Sequence, residues 1–342
     1  MEKMRLGKTG LHVSKSAFGA IPIQRLSFNE AEKLLWEAYK NGINFFDTAR
    51  MYTDSEEKIG YALSPVRKEI IIATKSTQNK RKDLLEDLQI SLNKLKTDYI
   101  DIFQLHNLKE LPDPQDPESS YAGLLEARKK DMIRFMGMTS HRLEVALEAA
   151  KSGWYDTVQF PLSFLSSSSE LELVKVCREH DVGLIAMKAL AGGLITDART
   201  SFAFLRQFDN VVPIWGIEKI RELEEFVAME KSPPPMDGEI KELMEKDRED
   251  LSGGFCRGCG YCMPCPVGIP INDAARMHLL LARFNPANIL TEEWKEKMEL
   301  ITECQECGHC TENCPYGLEP PELLRKALGH FREAYQKYRS AW

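Results

Sequence analysis

Eight short apolar runs alternate with longer amphipathic stretches through the first two-thirds of this 342-residue chain, and that rhythm constrains its fold most. The runs are "SAFGA", "NFFDTA", "EIIIATK", "YIDIFQLH", "MIRFMGMTS", "TVQFPLS", "VGLIAMKAL" and "VVPIWG". Their length and their β-branched and aromatic content read as strands. Between them, "FNEAEKLLWEAYKNG", "KRKDLLEDLQISLNKLKTD", "RLEVALEAAKSG" and "SSELELVKVCREHD" carry helical periodicity, with polar starts and glycine or polar ends that suit helix caps. Eight strands alternating with helices predict an α/β fold whose parallel strands close into a (β/α)8 TIM barrel. An open doubly wound sheet would alternate as well, but no G-x-G-x-x-G follows the first strand. Ahead of that strand, "MRLGKTGLHVS" reads as a small hairpin turning at Lys8-Thr9-Gly10.

The alternation stops at "EKSPPPMDGE", residues 230–239, where three successive prolines would break any continuing helix. The reading is a barrel over residues 1–230, a linker and helix over 231–250, and a small, mostly helical domain over 251–342. In that last part, "INDAARMHLLLARFN" and "PPELLRKALGHFREAYQKY" are the helix candidates. The chain is 43% hydrophobic and 28% charged, enough apolar material for a sizeable core. No run of eighteen apolar residues suggests a membrane span. A net charge of −7, with no basic stripe, argues against a nucleic-acid partner.

Eight of the nine cysteines fall in the last domain, in two runs: "CRGCGYCMPCP" (256–266) and "CQECGHCTENCP" (304–315). A disulfide framework belongs to small secreted domains, whereas these runs sit at one end of a large chain without a recognisable export signal. Paired C-x2-C spacings also suit zinc. Three consecutive C-x2-C steps closing on proline favour iron–sulfur clusters instead, and a cytoplasmic location is the corresponding expectation. The second run has the spacing of bacterial ferredoxins, in which the fourth cysteine of each run ligates the other run's cluster. That resemblance implies two 4Fe-4S clusters, one on Cys256, Cys259, Cys262 and Cys314, the other on Cys304, Cys307, Cys310 and Cys265. The first run is one residue shorter before its last cysteine, so an uncrossed arrangement stays open. The ninth cysteine, Cys177, lies on a helical pattern and reads as a packed residue.

Catalysis in such a barrel sits at the C-terminal ends of the strands. There the runs end in Asp47, with Tyr52 five residues on, then in Lys75 and in His106. A phenol beside an ammonium can act as a general acid, an aspartate can hold that ammonium, and a histidine can donate to a carbonyl oxygen. With "RLGKTGLHVS" and "NFFDTA", these four residues make the first 228 or so positions resemble the aldo-keto reductase family. The resemblance implies Tyr52 as proton donor, Lys75 as the group that tunes it, Asp47 as the support of Lys75, and His106 as the residue orienting the substrate carbonyl.

It also implies a nicotinamide dinucleotide, NADP(H) or NAD(H). Ser140 and Gln159 match the positions that hold the carboxamide, with His141 where the family usually has asparagine. "MKALAGG" (187–193), with Lys188, Leu190, Gly192 and Gly193, resembles the loop that wraps the pyrophosphate. Arg221, Glu224 and Glu225 correspond loosely to the family's 2′-phosphate and adenine contacts, and a plain charged surface helix is the bland alternative. The whole chain resembles fused aldo-keto reductase and ferredoxin-type proteins, implying a small carbonyl or alcohol substrate and a ferredoxin-like redox partner. A flavin would reconcile two-electron hydride transfer with one-electron clusters, but no flavin motif is visible. Clusters that only stabilise the fold, or an electron-transfer or redox-sensing protein whose barrel binds nucleotide without turnover, are the alternatives.

Overall fold

A computed structural model of the chain describes residues 1–251, 255–283 and 286–340. It divides into two compact units: residues 1–189 with 199–240, and residues 190–198 with 241–342.

The first unit opens with a hairpin of β1 (Lys3–Arg5) and β2 (His12–Ser14), paired so that Met4 faces Val13. The turn between them passes through a short 3-10 helix, Gly7–Thr9, and Gly10 in the left-handed region. Gly7 has no room for a side chain, since a Cβ there would lie 2.3 Å from the Gly183 nitrogen. Eight parallel strands follow: β3 (Ala17–Gly19), β4 (Phe45–Asp47), β5 (Ile71–Ser76), β6 (Ile100–Leu105), β7 (Ile133–Thr139), β8 (Thr157–Pro161), β9 (Gly183–Met187) and β10 (Val211–Gly216). Each pairs with the next, and β10 returns to β3 with Ile214 opposite Ala17, which closes the barrel. Each of the eight expected apolar runs supplies one barrel strand. They could be read as runs because nearly every position on them is buried, as strands with packing on both faces must be.

The hairpin determines which end of the barrel stays open for chemistry. Met4, Leu6, Leu11 and Val13 pack with Ala17, Phe45, Ile71, Ile185 and Val212, residues at or near the starts of their strands. The N-terminal end is thereby filled with apolar side chains, and the C-terminal ends carry the polar residues. Helices on the outside begin at caps that the sequence supplies. Ser27 with Glu30, and Ser167 with Glu170, form reciprocal capping boxes for helices Phe28–Lys40 and Ser168–Glu179. Cys177 is wholly buried in the latter, and burial pushes its thiol up to about 12.

The second unit has its own core. Ile269, Ile271, Ala274, Met277, Met298, Leu324, Ala327, Leu328 and Phe331 are buried together with Cys262 and Cys310. The long helix Pro320–Ser340 agrees with its sequence pattern. The other candidate does not run unbroken. It forms two short helices, Ile271–Ala274 and Met277–Arg283, and its last two residues fall outside the described ones. The break comes at Ala275-Arg276, where the Arg276 side chain turns to bond Asp273 and the Gly192 carbonyl. Among the described residues no helix is long and apolar enough to cross a membrane.

Candidate functional site

Asp47 is the last residue of β4, and Lys75 lies one residue before the end of β5. The two strands are neighbours, so the side chains meet directly. Lys75 Nζ donates to Asp47 Oδ1 at 2.6 Å and to the Thr48 carbonyl at 2.5 Å. Both side chains are almost completely buried. Burial is the largest influence on each: it raises Asp47 and lowers Lys75, and their mutual attraction opposes both shifts. The ammonium has two acceptors, the Asp47 carboxylate and the Thr48 carbonyl, and both favour its charged form.

Tyr52 follows β4 in a turn, and its ring centroid lies 5.3 Å from Lys75 Nζ. His106, just past β6, sets its ring edge-on to Tyr52, with centroids 6.0 Å apart at 82°. The four residues read from the strand ends therefore gather at one place. The electrostatics depart from expectation at one point. Burial first, and the Asp47 carboxylate second, hold the Tyr52 phenol above its ordinary range. Burial, then the Lys75 charge, lowers His106 to about 3, so the imidazole is neutral at ordinary pH.

A fifth residue joins them that the sequence reading overlooked. Gln104 is fully buried on β6, two residues before His106, and its Nε2 donates to both Asp47 Oδ2 (3.3 Å) and Gln159 Oε1 (3.0 Å). Two-residue spacing on a strand puts it on the same face as His106, which was the available signal. Gln159 on β8 is buried, and its main-chain carbonyl accepts from the Ser140 main-chain nitrogen at 3.2 Å. Ser140 is fixed from both sides: its Oγ donates to the Leu108 carbonyl (2.8 Å) and accepts from the Arg142 nitrogen (3.0 Å). His141 is buried beside it. Asp47, Gln104, Gln159 and Ser140 thus form one connected polar chain across β4, β6, β8 and the end of β7.

The remaining sequence candidates are dispersed. Lys188 belongs to the first unit, whereas Leu190, Gly192 and Gly193 belong to the second. Arg221, Glu224 and Glu225 are exposed on helix Ile220–Lys231, and Glu224 lines a groove between that helix and helix Phe28–Lys40.

In the second unit the cysteines sort into two cavities. Cys256, Cys259, Cys262 and Cys314 line one, walled by Ile271, Tyr316 and Leu323. Cys265, Cys304, Cys307 and Cys310 line the other, with Val267, Ile269 and Leu324. The last cysteine of each run, with the proline after it, crosses to the other run's cavity, and the shorter first run does not prevent this. Burial raises the Cys256 and Cys310 thiols and lifts Cys262 to about 12, so bare thiolates are disfavoured. Among the described residues no three Cys, His, Asp or Glu side chains converge as ligands of a single metal ion. Four thiols around an apolar space are a donor set that fits an iron–sulfur cluster.

Comparison with known proteins agrees with both halves. The profile of the aldo/keto reductase family matches residues 15–234, and that of a 4Fe-4S dicluster domain matches residues 255–319. Uncharacterized oxidoreductase YqkF of Bacillus subtilis is 28% identical over 257 residues, covering 71% of this chain and 82% of its own. L-galactose dehydrogenase of Arabidopsis thaliana is 29% identical over 216 residues, covering 58% of this chain and 68% of its own. Among solved structures, an aldo-keto reductase from Bacillus halodurans in its holo form superposes with a TM-score of 0.63 at 25% identity, covering 72% of this chain and 96% of that one. The chain therefore belongs to the aldo/keto reductase family of oxidoreductases and carries a 4Fe-4S dicluster domain C-terminal to the barrel in sequence.

Proposed function

We propose that this chain interconverts a small carbonyl compound and its alcohol with a nicotinamide nucleotide, and that its two cysteine cavities hold 4Fe-4S clusters serving electron transfer. The observation that carries the reading is the buried Lys75–Asp47 pair, with Tyr52 and His106 gathered around it. Bound NADPH or NADH supplies the hydride. Tyr52 supplies the proton: a phenol held above its usual range stays protonated near neutral pH and yields its proton only to a strongly basic atom such as a developing alkoxide. His106, neutral, orients the carbonyl oxygen by donating a hydrogen bond without taking the proton itself. Asp47 holds Lys75 in place, and the Lys75 charge favours negative charge growing on the substrate oxygen and on Tyr52.

Ser140, His141 and Gln159 are assigned to the nicotinamide carboxamide; Lys188, Leu190, Gly192 and Gly193 to the pyrophosphate; Arg221, Glu224 and Glu225 to the adenosine end. Cys256, Cys259, Cys262 and Cys314 are assigned to one cluster and Cys265, Cys304, Cys307 and Cys310 to the other, on the strength of the two cavities. A soluble one-electron carrier of the ferredoxin kind is the proposed partner.

The test is anaerobic. Iron-replete protein is assayed for NADPH and NADH oxidation against a panel of aldehydes and ketones, beside Tyr52→Phe. The variant should lose about 100-fold or more in kcat. Full turnover by Tyr52→Phe would overturn the reading and leave a nucleotide-binding electron carrier in its place. Bleaching of the iron–sulfur absorbance by NADPH alone would show that hydride equivalents reach the clusters.

A further inference from the structure

Arg276 ties together two loops that the sequence places far apart. Its Nη1 donates to the Gly192 carbonyl at 2.7 Å, and its Nη2 to Asp273 Oδ1 at 3.0 Å. The guanidinium also lies against Gly258, between Cys256 and Cys259, where a Cβ would fall 2.8 Å from its Cζ. Gly192 rests on the same cysteine loop, since a Cβ on it would lie 3.0 Å from the Arg257 oxygen. Only 11% of the Arg276 side chain is exposed. All of these residues belong to the second unit.

The loop so held is not one a chain adopts freely. Ala191, Gly192 and Gly193 stand at φ of 49°, 68° and 90°, successive left-handed residues of which the first has a side chain. Such a backbone persists where its surroundings over-determine it. A planar guanidinium can bond a carbonyl and a carboxylate at fixed angles while packing on glycine, which an ammonium cannot. Nothing in the tetrad needs this contact. Its two ends are a loop assigned above to the nucleotide pyrophosphate and a loop lining the first cysteine cavity.

We propose that Arg276 is a positioning residue that links nucleotide binding to the first cluster, by clamping the Leu190–Gly193 loop onto the Cys256–Cys259 loop. The proposal rests on the reading that residues 187–193 hold the pyrophosphate. Linkage is reciprocal: an intact Cys256 loop strengthens nucleotide binding, and bound nucleotide alters the surroundings of the cluster on that loop.

The test uses the full chain with both clusters reconstituted, as wild type, Arg276→Met and Arg276→Lys. NADPH and NADH affinities are read by fluorescence titration, and the EPR signal of dithionite-reduced protein is recorded with and without NADPH. Wild type is expected to bind nucleotide and to change its EPR line shape on doing so. Arg276→Met should bind about tenfold more weakly, as for loss of one charge-assisted hydrogen bond, and its EPR signal should no longer respond. Arg276→Lys should recover part of both. Wild-type affinity or a retained EPR response in Arg276→Met overturns the proposal. If that variant does not fold, Gly258→Ala displaces the guanidinium from the cysteine side, and wild-type affinity there overturns it equally. Wild-type protein that binds neither nucleotide overturns the proposal together with the reading beneath it; wild type that binds, beside an Arg276→Met that binds as well, overturns only the link.

Discussion

Lys75 and Asp47 form an ion pair, 2.6 Å from Nζ to Oδ1, that is out of reach of solvent at both ends. Removing one partner from such a pair costs more than the pair itself is worth, because the other charge stays buried. Asp47→Asn is expected to destabilise the barrel by about 3–5 kcal/mol in urea unfolding. The double variant Asp47→Asn with Lys75→Met should recover a large part of that loss. A double variant no more stable than Asp47→Asn alone would show that the damage is lost packing and not an orphaned charge.

His106 gives the pH dependence a definite sign. The folded protein holds its ring neutral down to about pH 3, while an unfolded chain takes up that proton near 6.5. Above 6.5 the residue costs nothing. As pH falls from there toward 3, the unfolded state binds the extra proton and stability drains, by at most about 1.4 kcal/mol per pH unit. Urea midpoints of wild type and His106→Gln, taken between pH 7 and pH 4, should converge as the pH drops. Parallel curves would mean that the ring is protonated in the fold.

The barrel could be read in advance because strands buried on both faces leave an uninterrupted apolar signature, and eight of them in alternation leave few topologies. Asp47, Lys75 and His106 stood out for a related reason: a charged or titratable residue closing an apolar run has only the barrel mouth to face. Gln104 did not stand out, since one polar residue inside a run looks like an ordinary outward-facing position until its strand is fixed in register. Arg276 was invisible in the sequence because its partner Gly192 is 84 residues away. The break at Ala275-Arg276 was hidden as well, because apolar periodicity continues across it. Cysteine spacing announced clusters, but which cysteines share a cavity is a matter of three dimensions.

Cysteine sorting can be checked one cluster at a time. With the crossed assignment, Cys314→Ala removes a ligand from the cavity of Cys256, Cys259 and Cys262, and Cys265→Ala one from the cavity of Cys304, Cys307 and Cys310. Cys314→Ala combined with Cys256→Ala should therefore lose no more iron than Cys314→Ala alone, about four atoms per chain. Cys314→Ala combined with Cys304→Ala should lose about eight. The reverse pattern, with Cys314 grouping with Cys304, would establish uncrossed ligation.

Gln104 sits between the acid–base group and the residue assigned to the nicotinamide, with both bonds leaving from one nitrogen. Its own Oε1 has no partner among the described residues, so the side chain is retained at a desolvation cost. Gln104→Leu removes that cost but leaves Gln159 Oε1 without its donor and Asp47 with one bond fewer. The two effects offset, and thermal stability should shift by no more than about 1 kcal/mol. Function should not be spared. Gln159, no longer held, turns within its pocket, and NADPH should bind about tenfold more weakly. Gln104→Glu sharpens the contrast by setting a second carboxyl beside Asp47. Its activity should fall as pH rises and that carboxyl ionises, because two buried like charges compete for Lys75. A Gln104→Leu protein with wild-type affinity for NADPH would reduce the bridge to packing.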